Sequence, residues 1–292
     1  MRLMDRNPVK TNKIKESKSA IRYAVIVLLV TYTILFVALV GWTFLNSLKG
    51  LLEYNKDKLS LPKDWLFSNY KLAFETMSAG GRSFATLIFN AVWVAVGTVF
   101  IGQATVLLFA YVMARFDFPL RKFFDKLNIF ILVVPIMGSM PAFMKVMTML
   151  GLYDSPLYIL TAISGFGGGL VIYRTAFRNV PWEYAEAAYI DGASHVQVFL
   201  KLMIPQVLPL IIATLIGAFT NVWNDAMTPL LYLPSYPTLA SGLYVYQVEM
   251  ARKIHTPVLF AGCFMCSIPP IILFIVFNKY MMNVDLSGGL KG

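Results

Sequence analysis

Long apolar runs alternate with short polar intervals along the chain. Six runs are long enough to cross a hydrocarbon layer, which takes about 20 helical residues. They cover residues 21–45, 84–112, 127–149, 156–177, 204–233 and 257–280. The pattern predicts an all-α membrane protein with six transmembrane helices. A basic segment, 1–20, precedes a transmembrane domain over 21–280, and a short tail, 281–292, follows. The interval 46–83 mixes lysines and aspartates with Trp65, Phe67, Tyr70 and Phe74. Aromatics favour the depth of the lipid headgroups, so this interval is expected to be partly helical and interfacial. No internal repeat is evident.

The runs are interrupted in places. Pro135 and Pro141 bracket "IMGSM" in the third, and Pro269–Pro270 fall inside the sixth. Each proline removes a backbone donor and crowds the preceding turn, so bends are expected there. In the fourth, Gly165 and Gly169 have the spacing that allows close helix contact. Ordinary packing accounts for these features, and so do weak points that let helices tilt.

Composition selects the solvent. Of 292 residues, 58% are hydrophobic and only 14% charged, with a mean hydropathy of +0.67. A soluble domain of this size needs more charge for its surface. The net charge of +10 does not indicate nucleic acid, because the charges gather at the ends of apolar runs rather than on one face. With the N-terminus inside, the inner intervals are 1–20, 113–126, 178–203 and 281–292. They and the adjoining helix ends then hold 16 of the 25 Lys and Arg residues, while the acids divide almost evenly. This is the positive-inside bias, and it places both termini in the cytoplasm of a multi-pass cell-membrane protein. The first run is too long for a signal peptide and is read as an uncleaved span. Cys263 and Cys266 have redox-pair spacing but sit in an apolar run, where they are read as small packing residues.

The interval 178–203 holds the densest punctuation: "PWEYAEAAYIDGASHVQVFLKLMIP" spans 181–205. Pro181 suits a first helical turn, and Glu183 and Glu186 suit the positive end of a helix dipole. Ala185, Ala187 and Ala188 leave a low surface. Asp191 and Gly192 break the helix, and Ser194 with Gln197 forms a capping box for a second one. That second helix presents Val196, Phe199, Leu200 and Met203. A helix, a glycine turn and a helix can be a docking knob for a cytoplasmic partner or a plain connector between spans. Physics alone leaves both open.

The same segment resembles the EAA loop of binding-protein-dependent ABC importer permeases. The match rests on Glu183, Glu186, Ala187, Ala188, Asp191, Gly192 and Ala193, followed by Phe199, Ile204, Pro205 and Pro209. "FNAVWVAVGTVF" at 89–100, "AYVMARFDF" at 110–118, "MLGLYDS" at 149–155, "WND" at 223–225 and the final "GGLKG" extend the resemblance over nearly the whole chain. They are similar to the carbohydrate branch, and within it to the G-type inner-membrane subunit of maltose importers. Where that branch often has Trp-Asn-Glu, this chain has Trp223, Asn224 and Asp225.

The resemblance implies a type I importer permease fold with a cytoplasmic coupling helix. It also implies a second homologous permease subunit, two ATPase subunits, an extracytoplasmic solute-binding protein and a sugar or oligosaccharide substrate. On that reading Glu183, Glu186, Ala187, Ala188, Asp191, Gly192 and Ala193 couple the pore to the ATPase. ATP and Mg are used by the ATPase; this chain carries no cofactor, metal or catalytic residue, and its partners include no nucleic acid. The absence of a Gly-x-x-x-x-Gly-Lys-Ser/Thr loop agrees with this. His195 and His255 fall on opposite sides of the expected membrane, and His195 is read as an interface residue.

Asp225, with Asn221, Trp223 and Asn224, admits two readings: a polar translocation path, or structural glue near the outer mouth. A polyol or glycerol phosphate permease on the same scaffold is the nearest alternative. A secondary transporter is the rival of another class, but it calls for repeats and buried charges that the spans lack. A purely structural assembly subunit is a third option.

Overall fold

A computed structural model describes residues 8–134, 138–249 and 255–281, and the statements below concern these. The ends of the chain, "GGLKG" among them, and Pro135 lie outside the described residues. Two compact units are distinguished: the chain up to Lys71 with His255–Phe264, and Leu72–Ile254 with the chain from Met265.

In the first unit, α1 (Pro8–Ser47) is one unbroken helix whose side chains from Arg22 to Val40 are exposed. A helix apolar on all faces needs lipid or other apolar surface around it. Beyond α1 come α2 (Leu51–Lys56) and α3 (Ser68–Thr76). The turn after α1 is held by polar contacts: the Asn69 amide donates to the carbonyls of Ser47 and Lys49 at 2.8 and 2.9 Å. The fully buried Lys49 ammonium donates to the Asp57 carbonyl at 3.0 Å. The interval 46–83 is therefore partly helical, as expected.

The second unit opens with a short hairpin, β1 (Ser78–Ala79) and β2 (Arg82–Ser83), paired antiparallel with Ala79 opposite Arg82. Helix α4 (Phe84–Arg115) is its spine, and its most extensive neighbour is α7 (Gly168–Asn179). The third and fourth apolar runs are not continuous helices. Residues 127–149 divide between α5 (Arg121–Val133) and α6 (Ser139–Met149). Pro141 falls in the first turn of α6, where no helical donor is lost. Residues 156–177 divide between a 3-10 segment (Pro156–Ala162) and α7.

After α7 come α8 (Glu183–Ile190), α9 (His195–Gln197), a π turn (Val198–Met203) and α10 (Ile204–Asn224). The chain then forms α11 (Met227–Tyr232), α12 (Leu239–Glu249) and α13 (Thr256–Met281). Among the described residues, four helical stretches are long and apolar enough to cross a membrane: Arg22–Ser47, Phe84–Arg115, His195–Asn224 and Thr256–Lys279.

The bend expected at Pro269–Pro270 does not divide α13, which is assigned as one helix. Pro270 cannot donate to the carbonyl four residues earlier, that of Cys266. The Trp223 indole N–H donates to that oxygen instead, at 2.8 Å. A side chain thus replaces a lost backbone donor, one way a helix tolerates proline.

Two buried clusters form the core of this unit. One joins Leu107, Tyr111 and Met113 of α4 to Leu170, Tyr173 and Phe177 of α7, with Ala185, Val198, Met203 and Val207. The other gathers Val94, Met147, Tyr158, Tyr232 and Leu233. The two glycines of the fourth run do not share a helix, since Gly165 lies in the break before α7, but both are packed against α4. A Cβ on Gly165 would lie 2.7 Å from the Phe109 ring, and one on Gly169 would lie 3.4 Å from Val106.

Candidate functional site

The interval between α7 and α10 is a rigid bend rather than a slack connector. Helix α8 starts at Glu183 with Trp182 as N-cap, so Pro181 stands one residue before the cap rather than in the first turn. Glu183 and Glu186 occupy the first turn, where negative charge complements the dipole. The helix ends with two crossed hydrogen bonds: Ala193 N–H to the Ala188 carbonyl at 2.9 Å, and Gly192 N–H to that of Tyr189 at 3.0 Å. These make a Schellman cap, which needs a left-handed residue between its arms. Gly192 supplies it, with φ of +83°.

The next helix starts at once. Ser194 Oγ accepts from the Gln197 N–H at 3.3 Å, and Gln197 Oε1 accepts from the Ser194 N–H at 2.8 Å. A complete C-cap and a complete N-cap thus meet across two residues. Backbone groups that would otherwise leave the loop soft are satisfied.

One face of the bend is anchored and the other is free. Ala185 is fully buried; Ala188 and Ala193 are partly so. Glu183, Glu186, Ala187, Asp191 and Gly192 are exposed. Tyr184 and Ile190, which the sequence pattern does not single out, are exposed too, Ile190 to 87%. A strongly exposed isoleucine beside a capped turn is a cue for a contact surface. A shallow hollow of about 490 Å³ opens beside the turn, lined by Ala188, Asp191, Gly192, Gln197 and Lys201 among others.

The face expected of the second helix is altered. Val198 and Met203 are buried and Phe199 partly so, whereas Val196 and Leu200 point outward. The π turn is the cause. Its i to i+5 bonding places residues 198 and 203 on one side, and it ends just before Pro205, which has no N–H for the 201 carbonyl.

Aromatic rings hold the bend to the helices around it. Tyr111 of α4 lies 4.8 Å from Phe199 and 5.6 Å from Phe177 between ring centres. His195 stands edge-on to Phe116 at 5.6 Å, and its Nδ1 shares a 2.9 Å hydrogen bond with the Tyr189 hydroxyl. At the start of the loop, burial and the nearby Arg174 and Arg121 lower the Arg178 guanidinium from its usual value.

The second group of residues, at the end of α10, is dispersed. Asn221 and Asn224 are exposed on one face. Trp223 is 1% exposed and stacks on Phe219 with centres 5.5 Å apart. Asp225 accepts from the N–H groups of Met227 and Thr228, both at 3.0 Å, so its carboxylate caps α11.

Residues 106–282, which include the whole bend, match the family described as binding-protein-dependent transport system inner membrane component. The chain belongs to this family. Among permeases of known systems it is 27% identical over 256 residues to the trehalose transport permease SugB of Mycobacterium tuberculosis, covering 86% of this chain and 91% of SugB. It is 31% identical over 205 residues to the osmoprotective compounds uptake permease GgtD of Synechocystis, covering 69% of each. It is 29% identical over 245 residues to the maltodextrin transport permease MdxG of Bacillus subtilis, covering 80% and 84%. The fold is that of a chain in a bacterial alginate ABC importer, with a TM-score of 0.71 at 20% identity over 96% of this chain and 99% of that one. A family of inner membrane components accounts for the long apolar helices.

Proposed function

We propose that this permease is one half of the translocation pore of an ATP-driven sugar or oligosaccharide importer. The observation that carries the reading is the double-capped bend at 183–197, rigid within and exposed on its acidic face. A lever must be stiff along its length and open at its tip. Glu183, Glu186, Ala187, Ala188, Asp191, Gly192 and Ala193 would seat it against a cytoplasmic ATPase, whose ATP and Mg power the cycle. Exposed Tyr184 and Ile190 add apolar contact area to that joint.

The chain would cross the membrane six times with both termini inside. The third and fourth crossings would use the paired pieces α5–α6 and 3-10–α7. Two permease subunits and two ATPases would make the complex, with a solute-binding protein delivering cargo outside. The names of relatives support the substrate class: trehalose, diacetylchitobiose, maltodextrin. A second alginate importer structure, of TM-score 0.61, was solved with its periplasmic protein bound to an alginate pentasaccharide. Asn221 and Asn224 would face the path; Trp223 and Asp225 would brace it.

The test is ATP hydrolysis by the complex purified from its native membrane, with its binding protein, across trehalose, maltodextrins, diacetylchitobiose, polyols and glycerol phosphate, with peptides and ions as controls. Stimulation by one of the sugars is the expected result. A response to a peptide or an ion, with none to sugars or polyols, would overturn the substrate class.

A further inference from the structure

Arg115 ends α4 at the point where the bend begins, and it makes three contacts there. Its guanidinium donates to the backbone carbonyls of Phe177 and Val180, the last turn of α7 and its C-cap. It also lies over the Trp182 ring, 5.0 Å from the centre, and Trp182 is the N-cap of α8. Among the described residues no carboxylate pairs with it. A cation at a helix C-terminus is favourable, and a flat fork with an aromatic face beneath it fixes direction as well as distance. Among the described residues the buried Nε has no hydrogen-bond partner.

The helix behind Arg115 has a second grip at its other end. Trp93 Nε1 donates to Asn90 Oδ1 at 3.1 Å, which orients that amide so that Nδ2 donates to the Pro237 carbonyl at 3.0 Å. Trp93 also meets the Tyr236 ring edge-on at 5.9 Å. The same turn is held from the other side, because the Asp154 carboxylate accepts from Ser235 N–H and Oγ at 2.8 and 2.7 Å. Helix α4 is one uninterrupted helix of 32 residues, and about 38 Å of it lies between Asn90 and Arg115.

We propose that Arg115 is a positioning residue that joins the bend to α4, so that movement of the bend is carried along α4 to the 235–237 turn. The inference rests on the bend being the ATPase-driven lever and assigns the next part in the train. A helix gripped at both ends by oriented polar contacts moves as a rod. Tyr111 and Phe116 on the same helix end pack against Phe199 and His195, so sideways slip is resisted while Arg115 sets the axial link.

The test uses the whole complex in lipid vesicles, reading ATP hydrolysis and uptake of the most stimulating panel sugar together, per assembled complex. Arg115→Met should continue to hydrolyse ATP while sugar moved per ATP falls at least about fivefold. Arg115→Lys, which keeps the charge but not the fork, should fall in between. Combined with Trp182→Leu, Arg115→Met should lower the ratio no further than the worse single change, because the two act through one contact.

An unchanged ratio in either Arg115 variant, or full multiplication of the two effects, overturns the proposal. So does a fall in assembled complex with the ratio intact, which is the signature of a merely structural residue. Arg115→Lys supplies the answer if Arg115→Met does not assemble. A wild-type complex indifferent to every sugar would instead sink the sugar-importer reading on which the proposal rests.

Discussion

Two glycines of this permease serve opposite purposes. At Gly192 a Cβ would meet nothing within 4 Å, but φ of +83° strains any L side chain. At Gly165 a Cβ would strike the Phe109 ring at 2.7 Å. Gly192→Ala should therefore cost about 1 kcal/mol of backbone strain in the bend, and Gly165→Ala about 1–3 kcal/mol through overpacking. Thermal unfolding in detergent, together with ATPase co-purification, separates them. Gly165→Ala should lower the midpoint, and by less in a Phe109→Leu background than in the wild type. Gly192→Ala should weaken co-purification, and no shortened neighbour should restore it. Rescue of Gly192→Ala by trimming a nearby side chain would contradict the strain argument.

At the scale of elements, helix ends decide more than helix interiors. The Trp223 indole repairs α13 at the carbonyl that Pro270 leaves open. Trp223→Phe keeps the ring packing but removes the indole donor from the Cys266 carbonyl, at a cost of about 1 kcal/mol. A lower unfolding midpoint, with uptake per surviving complex little changed, is the expected result. An unchanged midpoint would mean that the helix does not depend on that donor.

This repair also marks the limit of sequence reading. The double proline is visible at 269–270, but its donor comes from a residue 43 positions away. The bend itself was legible, because caps are local: Ser194, Gln197 and Gly192 carry their signals within a few residues. The outward turn of Val196 and Leu200 was not. Ordinary helical spacing put them on one face with Phe199 and Met203, and the π turn ahead of Pro205 divides that face. The third run breaks between Val133 and Ser139, where its prolines led a bend to be expected, whereas the fourth read as continuous because hydropathy registers length and apolarity and its break lies in backbone geometry. Arg115 stood in a recognisable stretch, "AYVMARFDF", but only the fold brings it against Trp182, Phe177 and Val180.

On the importer reading, the whole molecule is a passive device. The chain has exposed apolar helices that suit lipid, a stiff exposed bend and a long helix running from that bend to a gripped turn. On this reading, work enters at 183–197 and leaves as a change in the pore, and solute moves only while a nucleotide-hydrolysing partner drives the bend. The direct measurement is sugar uptake into vesicles that hold ATP inside, with the binding protein outside, comparing the complete complex with permease subunits lacking the ATPase. Uptake against a gradient by the complete complex, and none without the ATPase, is the predicted result. Concentrative uptake by the permease subunits alone would contradict the account.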